Sequence, residues 1–162
     1  MASRRWVVNA SPLILLGKTD NLHLLAALAD VVTIPRAVAK EVGNKPDGEA
    51  MLQALAANPT FVRADDEPVS PEIFDWDLGE GETQVIANAR CHGADRVVID
   101  DLKARRCAKT MGLRVIGTLG IVGRAKASGL IERVEPTIKH LRETGLYVSE
   151  ELVRLILREV DK

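Results

Sequence analysis

Aromatic residues are scarce: Trp6, Phe61, Phe74, Trp76 and Tyr147 make up 3% of a 162-residue chain. Any core must therefore be built from Val, Leu, Ile and Ala. Cysteine is scarcer still, and Cys91 and Cys107 form no CxxC pair and have no histidine at a zinc-finger spacing. The adjacent Cys91-His92 is too close for the usual zinc spacing, so both cysteines read as reduced thiols on helices of an intracellular protein. Long apolar runs are missing as well. The longest, Leu24 to Ala29, falls far short of the roughly 20 residues a spanning helix needs. Asn9, Ser11 and Pro12 interrupt the apolar stretch after Arg4-Arg5, which argues against a signal peptide. Charge of one sign is lacking too. With a net charge of −1 there is no global basic footprint, and a nucleic-acid substrate would need a local patch. Neither GxxxxGK[ST] nor GxGxxG occurs, which removes those modes of nucleotide binding. The expectation is a soluble, cytoplasmic protein with no membrane association.

What is present suits a packed core, because 46% of the residues are hydrophobic and 28% charged, excluding global disorder. Short β-branched runs alternate with helical stretches. Trp6 to Val8, Val31 to Ile34, Phe61-Val62, Arg96 to Ile99 and Arg114 to Ile116 are candidate strands, apolar enough to be buried on both faces of a parallel sheet. Between them, Asp20 can cap a helix through Ala29, and Pro35 suits the first turn of another that carries Val38 and Val42. Further helices are expected from Gly48 to Ala57 and from Gly79 to Arg90, with Gly93 and Gly112 as left-handed closing residues. The stretch from Ala64 to Trp76, with Pro68 and Pro71, reads as a long connection or partial lid. Beyond it, Thr118 to Lys126, Pro136 to Glu143 and a last helix from Ser149 are helical in character. That last helix carries a stripe of Leu152, Leu155, Ile156 and Val160. The reading is an α/β domain over residues 1–130, with a helical C-terminal extension over residues 131–162 packed on the same domain.

Sites in open parallel sheets form beyond the carboxyl ends of the strands. Asn9-Ala10-Ser11-Pro12 follows the first candidate strand and Asp100-Asp101 the fourth. Two carboxylates at the end of Val97-Val98-Ile99 are costly unless they meet water, cations or a metal. One aspartate can cap the next helix, and a cap does not need two. Glu41 sits near a helix C-terminus, where the macrodipole disfavours it. Glu80 is explained by a helix first turn alone, whereas Glu82 shares its side of the helix with Val85, Ile86 and Ala89. Lys103, Arg105, Arg106 and Lys109 follow the aspartates, as a solvated face or an RNA-binding edge. His23, His92 and His140 are scattered and suit surface or helix-end positions.

Together, Asn9-Ala10-Ser11-Pro12-Leu13-Ile14, Ile34-Pro35 with Glu41, Leu78-Gly79-x-Gly81-Glu82 with Ala87, and Ile99-Asp100-Asp101 with Ala104-Arg105 resemble a PIN domain. More narrowly, the chain resembles the PIN-like subfamily long labelled a domain of unknown function and related to VapC toxins. Gly117-Thr118-x-Gly120 and Ala125-Lys126-x-x-Gly129 fit the same subfamily, so the resemblance spans Val7 to Leu157. It implies a three-layer fold with a central, mainly parallel sheet. It also implies a ribonuclease dependent on Mg²⁺ or Mn²⁺, whose metal ligands and catalytic carboxylates are Glu41, Glu82, Asp100 and Asp101. Asn9 stands at the first acidic position and is a further ligand, while Ser11 and Arg105 are substrate-binding residues.

Hard cations take oxygen donors, which agrees with this set. Asn9 brings an amide oxygen but no charge and no basicity. The leading expectation is a metal-dependent endoribonuclease hydrolysing RNA phosphodiester bonds, the toxin of a toxin–antitoxin pair, with a small antitoxin protein and a second copy of itself as partners. The alternative is a silent RNA- or protein-binding module of the same fold. A phosphoacceptor domain would want acidic residues where Asn9 stands.

Overall fold

A computed structural model describes residues 3–160, apart from the side chains of Leu157, Glu159 and Val160. In chain order the elements are β1 (Arg5–Val8), α1 (Ala10–Lys18), α2 (Leu22–Leu28), β2 (Val31–Pro35), α3 (Arg36–Gly43), α4 (Gly48–Ala56) and β3 (Phe61–Ala64). They continue as α5 (Pro71–Phe74), α6 (Glu80–His92), β4 (Arg96–Val98), α7 (Leu102–Thr110), β5 (Val115–Ile116), α8 (Thr118–Ala127), α9 (Val134–Thr144) and α10 (Glu150–Val160).

The five strands form one sheet in the order β3-β2-β1-β4-β5, and every pairing is parallel. Val7 sits opposite Thr33 on one side and Val97 on the other, which makes β1 the central strand. Trp6, Val7 and Val8 point to alternate faces, yet all three are buried. Helices therefore cover both faces, giving three layers. Starting from β1, the chain builds outward through β2 and β3, then returns to place β4 on the other side. The order reverses between β1 and β4. Their carboxyl ends consequently diverge and leave a crevice, the switch point where ligands bind in such sheets.

Two hydrophobic clusters hold these layers. The larger one surrounds the sheet, with Leu13, Leu16, Ile34, Ile86 and Ile99 fully buried. A smaller one joins Leu15 of α1, Leu119 and Val122 of α8, and Ile138 and Leu141 of α9. Burying a leucine side chain stabilises by roughly 1.5–3 kcal/mol, so this second cluster docks α9 firmly. α10 lies across α8, where Ile156 covers Gly123 and no side chain blocks the approach. Leu152 and Leu155 are nevertheless 41% and 49% exposed, so of the stripe Ile156 packs inward while the two leucines do not. Val160, its last expected member, lies outside the described side chains.

Several local expectations need correction. Asp20 does not cap α2, because it is a left-handed turn residue at φ 57° and Asn21 occupies the cap position. Pro35 ends β2 and precedes α3, rather than opening the helix. Instead of one featureless connection, Ala64 to Trp76 includes the end of β3 and the short α5, started by Pro71. Gly93 and Gly112 do close α6 and α7 at positive φ. Among the described residues, no helix is long and apolar enough to cross a membrane.

Candidate metal centre

Val8 delivers Asn9 to the floor of the crevice. The Asn9 backbone N–H donates to the Val98 carbonyl at 3.0 Å, extending the β1–β4 ladder by one residue. Asn9 then becomes the N-cap of α1, but its side chain makes no capping bond. That is unusual work for a capping asparagine, whose oxygen normally accepts from the first turn. Asn9 is buried, with 6% of the residue exposed, and its Oδ1 has no hydrogen-bond partner.

Gly81 explains where that oxygen points. A Cβ at this position would stand 3.3 Å from Asn9 Oδ1 and 3.4 Å from Glu41 Oε2. The missing side chain thus leaves a cradle shared by β1, α3 and α6. Glu41 reaches it from the last turn of α3 and is exposed to the groove. Glu82, in the first turn of α6, buries Oε2 without any partner. Burial first, then the nearby Asp101 and Glu41 carboxylates, push the Glu82 pKa above its ordinary value. A helix N-terminus should lower a glutamate pKa, and here desolvation and like charge win.

The two aspartates divide their duties. Asp101 is the N-cap of α7 and accepts from the Ala104 N–H through Oδ2 at 3.0 Å. Asp100 accepts the Thr118 N–H at 2.7 Å through Oδ1 and the Thr118 hydroxyl at 2.6 Å through Oδ2. It thereby ties β4 to the start of α8. Arg105 folds back to donate to the Ile99 carbonyl at 3.1 Å. This tight packing requires a glycine at 117, where a Cβ would lie 2.5 Å from Arg105 Nη1 and 2.9 Å from Asp100 Oδ1.

Asn9, Ser11, Glu41, Glu82, Asp100, Asp101 and Arg105 all line one groove of about 1020 Å³. The other wall of the groove, formed by Leu146, Tyr147, Leu152 and Ile156 of the C-terminal segment, was not foreseen from the sequence as part of the site, whereas Lys109 of α7, expected on a basic edge, does line it. Sequence reasoning also passed over Gly81 as the cradle and Thr118 as the residue that holds Asp100. The spacing Gly81-Glu82 and the pair Gly117-Thr118 were the available signals.

The donor chemistry suits a hard divalent cation. Amide and carboxylate oxygens are its natural ligands, and Asn9 Oδ1 and Glu82 Oε2 are buried acceptors with nothing to accept from. Clustered carboxylates whose mutual repulsion raises a pKa are what a cation would relieve.

Sheet order, layer arrangement and an acidic switch point define a PIN-like α/β protein. The chain belongs to the PIN-domain family DUF3368, which its sequence matches over residues 5–162. Twelve solved chains resemble it in structure. Among them is the crystal structure of PAE2754 from Pyrobaculum aerophilum, with a TM-score of 0.51 and 16% identity, covering 72% of this chain and 92% of that one. At that identity the likeness establishes the fold alone. No curated protein matches the chain.

Proposed function

We propose that this protein is a divalent-metal-dependent endoribonuclease that hydrolyses RNA phosphodiester bonds with Mg²⁺ or Mn²⁺. We further propose that it is the cytoplasmic toxin of a toxin–antitoxin pair, restrained by a small antitoxin protein and acting as a homodimer. The carrying observation is the pair of buried, partnerless oxygens on Asn9 and Glu82, set among Glu41 and Asp101 in a groove of about 1020 Å³.

In this reading Asn9, Glu41, Glu82 and Asp101 hold the ion. Asp100 lines the same groove, is anchored to Thr118 through both carboxylate oxygens and fixes the geometry of the strand end. A divalent ion bound there supplies an activated water and neutralises charge on the phosphate. The chain's own residues do the rest. Arg105 and Lys109, at the groove edge beside the acids, attract and position the phosphodiester. Ser11, exposed in the first turn of α1, offers a hydroxyl to a phosphate oxygen beside Asn9. The apolar wall of Leu146, Leu152 and Ile156 limits solvent around the scissile bond.

Asn9 favours one second reading. A neutral residue at the centre of the cluster reduces the charge available to a cation, and a silent RNA- or protein-binding module would tolerate that. The two readings separate in a cleavage assay on structured and single-stranded RNAs, with and without Mn²⁺. The nuclease reading expects Mn²⁺-dependent cutting, lost in Glu82→Gln and Asp101→Asn, and tighter Mn²⁺ binding in Asn9→Asp. If the parent cuts nothing and Asn9→Asp binds Mn²⁺ no more tightly, the binding module replaces it.

A further inference from the structure

Glu67, Cys91 and His92 meet at the far end of α6, away from the acidic groove. The connection after β3 runs back along α6, and Gln84 clamps it there. The Glu67 N–H donates to Gln84 Oε1 at 2.7 Å, and Gln84 Nε2 donates to the Glu67 carbonyl at 3.0 Å. Gln84 and Cys91 are seven residues apart, two helical turns, so they lie on the same stripe of the helix. This two-point clamp fixes the Glu67 backbone and aims its carboxylate at the last turn of α6.

There the two carboxylate oxygens serve two different side chains. Glu67 Oε1 lies 2.7 Å from His92 Nε2, and Glu67 Oε2 lies 3.7 Å from Cys91 Sγ. One donor atom from each of the three residues falls within 4.8 Å of the other two. Tetrahedral zinc, with bonds of about 2.0–2.3 Å, separates its donors by roughly 3.3–3.7 Å. Cys91 and Glu67 already stand at that separation. His92 is exposed at the helix end, so its ring is not locked by packing at the shorter 2.7 Å contact.

We infer that Glu67, Cys91 and His92 form a second metal site, for a borderline-soft divalent ion of the Zn²⁺ type, with a fourth position open to water. A thiolate and an imidazole prefer zinc, whereas the all-oxygen groove at the other end of the helix prefers magnesium or manganese. The Cys91–His92 adjacency, too tight for a four-ligand finger, suffices once a third donor arrives from the β3–α5 connection. On binding, the Cys91 S–H proton passes to solvent and an S–Zn bond takes its place. The ion then staples this connection to α6 in the way the Gln84 clamp does. Glu82 and Cys91 are separated by about 14 Å along the helix axis, so the two sites have no common ligand.

The test uses the full chain, without an affinity tag, and Co²⁺ as a spectroscopic probe. One equivalent of Co²⁺ should produce a thiolate-to-cobalt charge-transfer band, which one equivalent of Zn²⁺ removes and excess Mg²⁺ does not. Cys91→Ser should abolish the band, and Glu67→Gln and His92→Asn should each weaken Co²⁺ affinity at least tenfold. Cys107→Ala, which removes the buried thiol, should keep it. Absence of the band, its persistence in Cys91→Ser, or unchanged affinity in both Glu67→Gln and His92→Asn overturns the inference. Because the band reports only thiolate ligation, its failure leaves the nuclease reading untouched, and the reverse also holds.

Discussion

The two ends of α6 present opposite ligand chemistry. At its start, Glu82 joins Asn9, Glu41 and Asp101 in a recess where oxygen is the only donor. At its finish, Cys91 and His92 meet Glu67 on an exposed surface with sulfur, nitrogen and oxygen together. The helix dipole suits neither arrangement fully. It favours the acids of the first turn, yet burial and neighbouring carboxylates outweigh it at Glu82. It favours the basic residues Arg90 and His92 of the last turn but not the Glu67 carboxylate that meets His92 there. A single rigid helix can thus hold two environments apart, one built for a hard ion and one for a softer one.

The largest effect that would break this contrast is expected at the first turn. Glu82→Gln or Asp101→Asn keeps shape and removes one negative charge from a site with few. RNA hydrolysis should slow at least tenfold, about 1.4 kcal/mol in barrier, while the Co²⁺–thiolate band stays as in the parent. Steady-state cleavage beside absorption spectra on the same samples checks both halves. Loss of the band in Glu82→Gln would mean the two ends are coupled.

A smaller effect should come from Gly81→Ala, with opposite signs for folding and for metal. Replacing glycine inside a helix stabilises by roughly 0.5–1 kcal/mol. The added methyl would sit against Asn9 Oδ1 at 3.3 Å and Glu41 Oε2 at 3.4 Å, crowding the cradle. Thermal unfolding should therefore give a metal-free midpoint no lower than the parent's, while isothermal titration shows weaker Mn²⁺ binding. A lower midpoint with unchanged Mn²⁺ affinity would deny that the cradle is reserved for a ligand.

The smallest expected effect concerns pH. Glu82 holds its proton more tightly folded than unfolded, because burial and the Asp101 and Glu41 charges raise its pKa. Its contribution to metal-free stability is therefore greatest below the unfolded glutamate value. It is lost as pH rises through the raised folded value and is level above that. Urea midpoints in EDTA, taken across the weakly acidic range, should fall more steeply with pH in the parent than in Glu82→Gln. Equal slopes would show that Glu82 is solvated like any surface glutamate.

Much of the fold was legible because buried parallel strands announce themselves. Trp6-Val7-Val8 and Val97-Val98-Ile99 are apolar throughout, as only a strand covered on both faces can be. Two of the site positions followed from the same strands, since Asn9 directly follows β1 and Asp100 lies two residues beyond the end of β4. What stayed hidden depends on contacts between distant residues. Nothing in Asp100-Asp101 says which carboxylate caps α7, because the answer rests on Thr118, eighteen residues on. Nor does Cys91-His92 announce Glu67, which arrives only through the Gln84 clamp. The exposed Leu152 and Leu155 show the converse limit. Their spacing correctly marks an amphipathic face but does not say what that face meets.

In the proposed function, the carboxyl ends of β1 and β4 hold a hard divalent ion. The most direct measurement is anomalous diffraction at the manganese edge from crystals of the full chain soaked in Mn²⁺. A peak is expected that is bounded by Asn9 Oδ1, Glu82 Oε2 and carboxylate oxygens of Glu41 and Asp101. Saturating Mn²⁺ that leaves this crevice empty, with Asn9 Oδ1 and Glu82 Oε2 hydrogen-bonded to protein groups instead, would contradict it.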